Sequence, residues 1–118
     1  IGHLKSMSSF LKDNCRDKCI CYGAGGATTL LFHLNPDIQQ WIDCVVDSSR
    51  AKTGKQIGGT RFTVLSPPVL EERTGQSVMI NSMEYFDEIY NELSAKFKGR
   101  NFSYLKVIPN FQIYGEPK

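Results

Sequence analysis

The chain has 118 residues, of which 41% are hydrophobic and 22% are charged, and its formal net charge at pH 7 is +2. This length suits one domain with a sizeable core, and the composition excludes the weakly hydrophobic, highly charged class of disordered proteins. The small net charge argues against a nucleic-acid partner. The net charge is also too small to indicate a membrane partner, and no run approaches the roughly 18 apolar residues that a membrane helix needs.

Four cysteines occur at positions 15, 19, 21 and 44. The spacing of Cys15 and Cys19 fits neither a zinc site nor a redox Cys-x-x-Cys pair, so we predict no metal site. Cys21 and Cys44 lie in apolar runs, where cysteine acts as a small hydrophobic residue. The chain begins with Ile1 and carries no secretory signal pattern. We therefore expect a cytoplasmic fragment of a longer protein, with reduced thiols.

A helix and a strand open the chain. Apolar residues at three- and four-residue spacing predict a helix within residues 1–17, and we expect it to pack on a domain formed by residues 18–118. The run Cys19–Tyr22 lacks alternation, which predicts a strand buried on both faces. A glycine turn and a short helix over residues 28–34 follow, and three leucines of this helix are predicted to face inward: Leu30, Leu31 and Leu34.

Strands and helices alternate along the rest of the chain. Apolar periodicity predicts strands at residues 42–46, 60–65, 77–81 and 104–108. A brief helix is predicted over residues 69–73, and a long one begins after Ser82 and ends at Gly99. Because alternation on this scale implies βαβ units, we predict a mainly parallel sheet of about five strands.

The turn after the first strand is the motif that carries chemistry. It reads Gly-Ala-Gly-Gly-Ala-Thr over residues 23–28, between a predicted strand and a predicted helix. Gly23 permits a sharp turn, and Gly25 lets a phosphate approach the backbone, where the amides at the start of the helix face it. Asp47 ends the second strand, where an acidic residue accepts hydrogen bonds from ribose hydroxyls. The third glycine of the usual fingerprint is replaced by Thr28.

This context predicts a Rossmann-like, three-layer α/β sandwich with a nucleotide site at the turn. The predicted nucleotide-binding residues are Gly23, Ala24, Gly25, Gly26, Ala27, Thr28 and Asp47. Three basic residues in the loop after Asp47 are either further phosphate contacts or part of a solvated loop: Lys52, Lys55 and Arg61.

Three other polar residues near the turn or at the end of a strand have structural interpretations. His33 is interpreted as a packing or surface residue, and no catalytic residue is assigned. Asn81 and Ser82 either bind a ligand or cap the next helix, and we favour the cap.

Several motifs occur in a familiar order: residues 22–28, 45–47, 52–55, 58–60, 64–67 and 108–111. In this order they resemble the C-terminal Rossmann-like domain of the sugar-nucleotide C-methyltransferases, over roughly residues 8–115. More loosely, the chain is similar to the nucleotide-binding domain of sugar acetyltransferases.

The resemblance to the methyltransferases implies a partner role. In that family, other domains of the chain bind S-adenosylmethionine and metal, and the C-terminal domain helps to frame the sugar-nucleotide site. For this chain it implies that role for Gly23, Gly25, Gly26 and Asp47. Because the first strand ends in Tyr22 rather than in an acidic residue, we predict no adenosylmethionine binding.

Three functions follow from these patterns. The first is an accessory domain that binds a nucleotide or nucleoside-diphosphate sugar beside other domains of a methyltransferase-like parent, without turnover of its own. The second is an NAD(P)-binding unit of an oxidoreductase, although 118 residues leave no evident substrate domain. The third is a structural or assembly domain with an empty glycine turn. Binding of nucleotides, or of NADH, distinguishes them.

Overall fold

The computed structural model describes residues 2–15, 18–107 and 112–115. The α-helices of these residues are α1 (Gly2–Asn14), α2 (Gly26–Leu34) and α3 (Phe86–Lys96). The strands are β1 (Cys19–Tyr22), β2 (Ile42–Val46), β3 (Val64–Leu65), β4 (Ser77–Ile80), β5 (Ser103–Lys106) and β6 (Gln112–Tyr114). Two short 3₁₀ helices cover Pro36–Trp41 and Pro67–Glu72.

The strands form one sheet in the order β3-β2-β1-β4-β5-β6. The first five strands are mutually parallel, and β6 pairs with β5 in the antiparallel direction. The predicted α/β class and mainly parallel sheet are confirmed. The sixth strand was not predicted, because three residues at a sheet edge carry no periodicity of their own and follow a proline-containing stretch outside the described residues.

Two buried clusters fill the space on the two faces of the sheet. One face of the sheet packs against α1 and α2, whose Met7, Leu11 and Phe32 lie in the same cluster as Cys21 of β1. The other packs against α3, whose Phe86 contributes to a second cluster. Successive residues of β1 alternate between the clusters, and all four are buried. This two-sided burial explains the continuous apolar run in the sequence.

The inward face of α2 differs from the predicted one. Leu31 and Phe32 are buried, but Leu30 and Leu34 are each 55% exposed, so the prediction was wrong for two of the three leucines. Thr28 is buried and bonded to the turn below it, which sets the rotation of the helix about its axis. At 3.6 residues per turn, positions 30 and 34 then lie on the side away from the sheet.

Chain direction around β1 and β4 creates an opening at the carboxyl edge of the sheet. These strands are adjacent and parallel, but β1 leads to α2 on one face and β4 leads toward α3 on the other. The two connections therefore diverge and leave a crevice between them, as at the switch point of other open α/β sheets. Helix α3 begins at Phe86 rather than just after Ser82, whose Oγ instead accepts the Tyr85 N–H at 3.0 Å.

Candidate functional site

The crevice is a cleft of about 400 Å³, within the size range of small-molecule sites. Three connections supply its walls, one after each of β1, β2 and β4. Its lining residues include Tyr22, Gly23, Gly25, Asp47, Ser48, Lys52, Asn81, Ser82, Tyr85, Ile89 and Glu92. Gly23, Gly25 and Asp47 of the predicted nucleotide site therefore meet at one place, together with Lys52.

The glycine turn is shaped by its first residue. Gly23 has φ +114°, a conformation that L side chains rarely adopt. A Cβ there would lie 3.3 Å from the backbone oxygen of Asn81. Gly25 differs, because its φ of −79° is open to any residue and a Cβ would meet only Lys52 Nζ, at 3.7 Å. Gly23 is thus needed for the backbone, whereas Gly25 keeps the cleft free of a side chain.

The backbone amides of the turn divide into two groups. The Gly23 N–H donates to the Val46 carbonyl and the Ala24 N–H to Asp47 Oδ2. Among the described residues, none accepts a hydrogen bond from the N–H of Gly25, Gly26 or Ala27. Helix α2 therefore begins with unpaired amide donors, the arrangement that binds anions at helix N-termini.

Asp47 fastens the glycine turn to the end of β2. Its two carboxylate oxygens each accept a backbone N–H at 2.8 Å, from Ala24 and from Ser49. Lys52 Nζ lies 3.9 Å from Oδ2. Each carboxylate oxygen retains a second lone pair, but the carboxylate already holds two backbone segments of the cleft together.

A hydrogen-bonded chain beneath the turn connects β1, α2 and β4. The Thr28 hydroxyl donates to the Gly23 carbonyl at 2.6 Å and accepts from Asn81 Nδ2 at 2.6 Å. Both side chains are buried. Thr28 stands where the usual fingerprint has its third glycine, and its hydroxyl joins the helix to the turn and to the neighbouring strand.

The three basic loop residues lie in different places. Lys52 lines the cleft. Lys55 is exposed, outside the cleft lining, and its carbonyl accepts the Val64 N–H at 2.9 Å. The Arg61 guanidinium donates to the Ile42 carbonyl at 3.0 Å and lies over the Phe62 ring. Since Ile42 begins β2, Arg61 lies toward the opposite edge of the sheet from the cleft.

A comparison of the chain with known protein families indicates which family has this domain. A model of the C-methyltransferase C-terminal domain matches residues 4–109. The chain belongs to this family. No curated protein matched it. The resemblance of the motifs to a C-methyltransferase C-terminal domain is therefore confirmed, and the fold and family together support an accessory domain of a methyltransferase.

The wall of this C-methyltransferase C-terminal domain that follows β4 was largely missed by the sequence interpretation. Asn81, Tyr85, Ile89 and Glu92 all line the cleft. For Asn81 and Ser82 the sequence favoured a helix cap over the alternative of ligand binding, and Ser82 does accept the Tyr85 N–H just before α3. Glu92 lies too far from the turn in sequence to be linked to it by any local pattern. The sequence signal for this wall was the polar pair Asn81-Ser82 at the end of a predicted strand.

His33 and the four cysteines lie outside the cleft lining. His33 is exposed on α2 and lines a separate cavity of about 140 Å³. All four cysteines are buried and free, and burial raises the pKa of Cys21 to about 12 and that of Cys44 to about 11. Within residues 2–15, 18–107 and 112–115, no three metal-binding side chains cluster. No helix there has the length and apolarity needed to cross a membrane.

Tyr22 forms part of the cleft floor at the end of β1. It is 7% exposed, and burial is the main cause that raises its pKa. The negative charges of Glu92 and Asp47 raise this pKa further, whereas the hydrogen bond with Ser48 lowers it. The phenol therefore stays neutral and acts as a hydrogen-bonding group. Because the Tyr22 phenol beside Lys52 is neutral, the positive groups on this side of the cleft are the Lys52 ammonium and the backbone amides of the turn.

Proposed function

We propose that this chain is an accessory domain of a C-methyltransferase and that its cleft binds a nucleotide, the nucleoside-diphosphate part of a sugar nucleotide. The observation that carries the proposal is the set of unpaired amides at the start of α2, beside Lys52 at the carboxyl edge of β1. Family membership supports the accessory role.

The phosphate groups belong at the glycine turn. Gly25 lines the cleft and presents no side chain, and its N–H has no acceptor in the described residues. The Lys52 ammonium lies 3.7 Å from the position that a Cβ on Gly25 would take. An ammonium and free amides at a helix N-terminus together favour an anion. Lys55 and Arg61 are not required by this arrangement.

The nucleoside or sugar belongs on the α3 side of the cleft. Tyr85 is 52% exposed and lies with Ile89 in the cleft wall, which provides apolar surface for a ring. The cleft volume of about 400 Å³ is large enough for more than a phosphate group. Asp47 remains available to a ribose hydroxyl through its second lone pairs.

Titration calorimetry with UDP, UDP-glucose and NADH tests this proposal, with Gly25→Val as the decisive variant. A valine at position 25 suits the backbone there and places its branches in the phosphate approach. We expect UDP to bind the unchanged chain and the variant to bind it at least ~10-fold more weakly, a loss of about 1.4 kcal/mol.

Gly58→Val is the matched control, because Gly58 lies outside the cleft and a Cβ there has nothing within 4 Å. This control should bind UDP like the unchanged chain. Binding of NADH in preference to UDP would favour the oxidoreductase alternative. Absence of binding by every nucleotide would favour the structural alternative and overturn the proposal.

We also propose a cytoplasmic location. The four buried thiols support it, because reduced cysteines are typical of reducing compartments. Fractionation of cells that produce the chain, followed by immunodetection, tests the location.

A further inference from the structure

One buried polar atom of a cleft-lining residue has no hydrogen-bond partner among the described residues. Asn81 is 6% exposed and lines the cleft. Its Nδ2 donates to Thr28 Oγ1, but no described residue donates to its Oδ1. A buried carbonyl oxygen without a donor costs roughly 1–3 kcal/mol, so a bound molecule that donates a hydrogen bond to this atom gains binding free energy.

The neighbouring hydrogen bonds determine which way the amide of Asn81 points. The Gly23 carbonyl can only accept, so the Thr28 hydroxyl at 2.6 Å must donate its single proton to it. Thr28 Oγ1 then has only lone pairs left for Asn81, and the atom facing it at 2.6 Å must be the NH₂ group. The oxygen of the amide is therefore the atom left without a partner.

The two walls of the cleft differ in hydrogen-bonding character. The side formed after β1 and β2 carries the positive donors, the Gly25 N–H and the Lys52 ammonium, beside the Asp47 carboxylate. The side formed after β4 carries the Glu92 carboxylate in its lining and Asn81 Oδ1 beneath the lining, with almost no exposed surface of its own. Phosphate oxygens at neutral pH are acceptors, so they suit the amide and the ammonium of the first wall, whereas the described lining of the second wall has no charged donor.

We infer that Asn81 Oδ1 accepts a hydrogen bond from a sugar hydroxyl of the bound nucleotide and so fixes its direction across the cleft. This inference rests on the proposed nucleotide site. It places the phosphates at Gly25 and Lys52 and the hydroxyl-bearing sugar against the β4 side. The hydroxyl belongs either to the ribose or to the hexose of a sugar nucleotide, and both present the same neutral donor.

Titration calorimetry of Asn81→Ala with three probes separates these sources. Inorganic pyrophosphate has no hydroxyl, UDP has a ribose only, and UDP-glucose has both sugars. We expect pyrophosphate affinity to change by less than about twofold and UDP affinity to fall ~3- to 10-fold, the range of one neutral hydrogen bond. If only UDP-glucose weakens, the hexose supplies the hydroxyl.

A ligand-side deletion makes the test independent of protein folding. On the unchanged chain, 2′-deoxy-UDP or 3′-deoxy-UDP should bind ~3- to 10-fold more weakly than UDP if the ribose is read. The same deletion should have no effect in Asn81→Ala, because a double-mutant cycle reports only groups that interact. Ser94→Ala, which removes a buried hydroxyl on α3 outside the cleft, is the matched protein control.

The outcomes distinguish this inference from the proposed function. If pyrophosphate weakens as much as UDP in Asn81→Ala, the residue only supports the turn and the inference fails. It also fails if neither the substitution nor any hydroxyl deletion changes affinity, UDP-glucose included. In both cases nucleotide binding itself stands. If the unchanged chain binds none of the probes, both the proposed function and the inference are overturned.

Discussion

The loop between β2 and β3 runs from the carboxyl ends of the strands to their amino ends. Lys52 in its first part and Arg61 in its last part make different contacts. Lys52 follows Asp47 closely and lies in the cleft, 3.9 Å from the carboxylate. Arg61 precedes β3 and donates to the carbonyls of Gln39 and Ile42 while lying over the Phe62 ring. From the sequence, the two residues had the same predicted role.

The direction of a parallel strand explains the difference. Because β3 runs parallel to β2, the chain must return from the carboxyl edge to the amino edge before it can enter β3. Residues early in such a loop stay near the cleft, and residues late in it lie near the start of the preceding strand. A basic residue in a crossover loop is therefore a candidate ligand only in the first part of the loop.

The largest expected effect is at the cleft end of this loop. Asp47→Ala removes the carboxylate that accepts the N–H groups of Ala24 and Ser49. Hydrogen bonds to charged groups contribute about 1.5–3 kcal/mol each, so we expect the free energy of unfolding to fall by at least ~2 kcal/mol in urea denaturation. Glu71→Ala, at an exposed position, should change it by less than ~0.5 kcal/mol. Equal effects of the two substitutions would contradict the fastening role of Asp47.

Nucleotide affinity should depend on one basic end of the loop and not on the other. Lys52→Met keeps the length of the side chain but removes the charge in the cleft, and we expect UDP to bind ~10-fold more weakly, or about 1.4 kcal/mol. Arg61→Met should leave UDP affinity within about twofold. Calorimetric titration of both variants checks the pair, and a larger loss in Arg61→Met would reverse the assignment of the two ends.

The free energy of unfolding should depend on Arg61 more than on Lys52, the reverse of the order expected for nucleotide affinity. Arg61→Met removes hydrogen bonds to two backbone carbonyls and a cation–π contact, so we expect a loss of about 1 kcal/mol in the free energy of unfolding. Lys52→Met should cost less than ~0.5 kcal/mol, because a partly exposed ion pair contributes little. Urea denaturation of the two variants makes this comparison, and it fails if Lys52→Met is the less stable.

The smallest effect concerns the strand beneath the cleft and depends on pH. Burial raises the pKa of Cys21 to about 12, whereas an unfolded thiol ionises near pH 8.5. The folded state therefore favours the neutral thiol. The contribution of this thiol to the stability of the folded chain is complete below about pH 8.5 and is lost as the pH rises toward 12.

Between pH 8 and pH 9, the unchanged chain should lose at most about 1 kcal/mol more stability than Cys21→Val, which has no thiol to ionise at this position. Urea denaturation at several pH values measures the difference. Parallel pH profiles for the two chains would show that this thiol does not titrate as its burial requires. Cys44→Val offers a comparison at β2, where burial raises the pKa to about 11.

Much of the central sheet was predictable from local sequence. The bounds predicted for β1 and β2 match the structure, because strands buried on both faces appear as uninterrupted apolar runs. The glycine turn was recognisable because three glycines stand between a predicted strand and a predicted helix, and Gly23 has the positive φ that favours glycine. Thr28, by contrast, stood out only as a departure from the fingerprint, and its bond to Asn81 spans 53 residues.

By itself, the sequence determined the order of the first five strands and the α-helices and the position of the glycine turn, since these follow from periodicities and residue types within short segments. The alternation of these segments indicated the parallel sheet, and the order of motifs along the chain indicated the family. Tertiary structure alone decided that Asn81 faces the turn, that Arg61 lies away from it and that Leu30 and Leu34 lie outward. These features depend on strand order and helix rotation, which arise when segments far apart in the chain pack together.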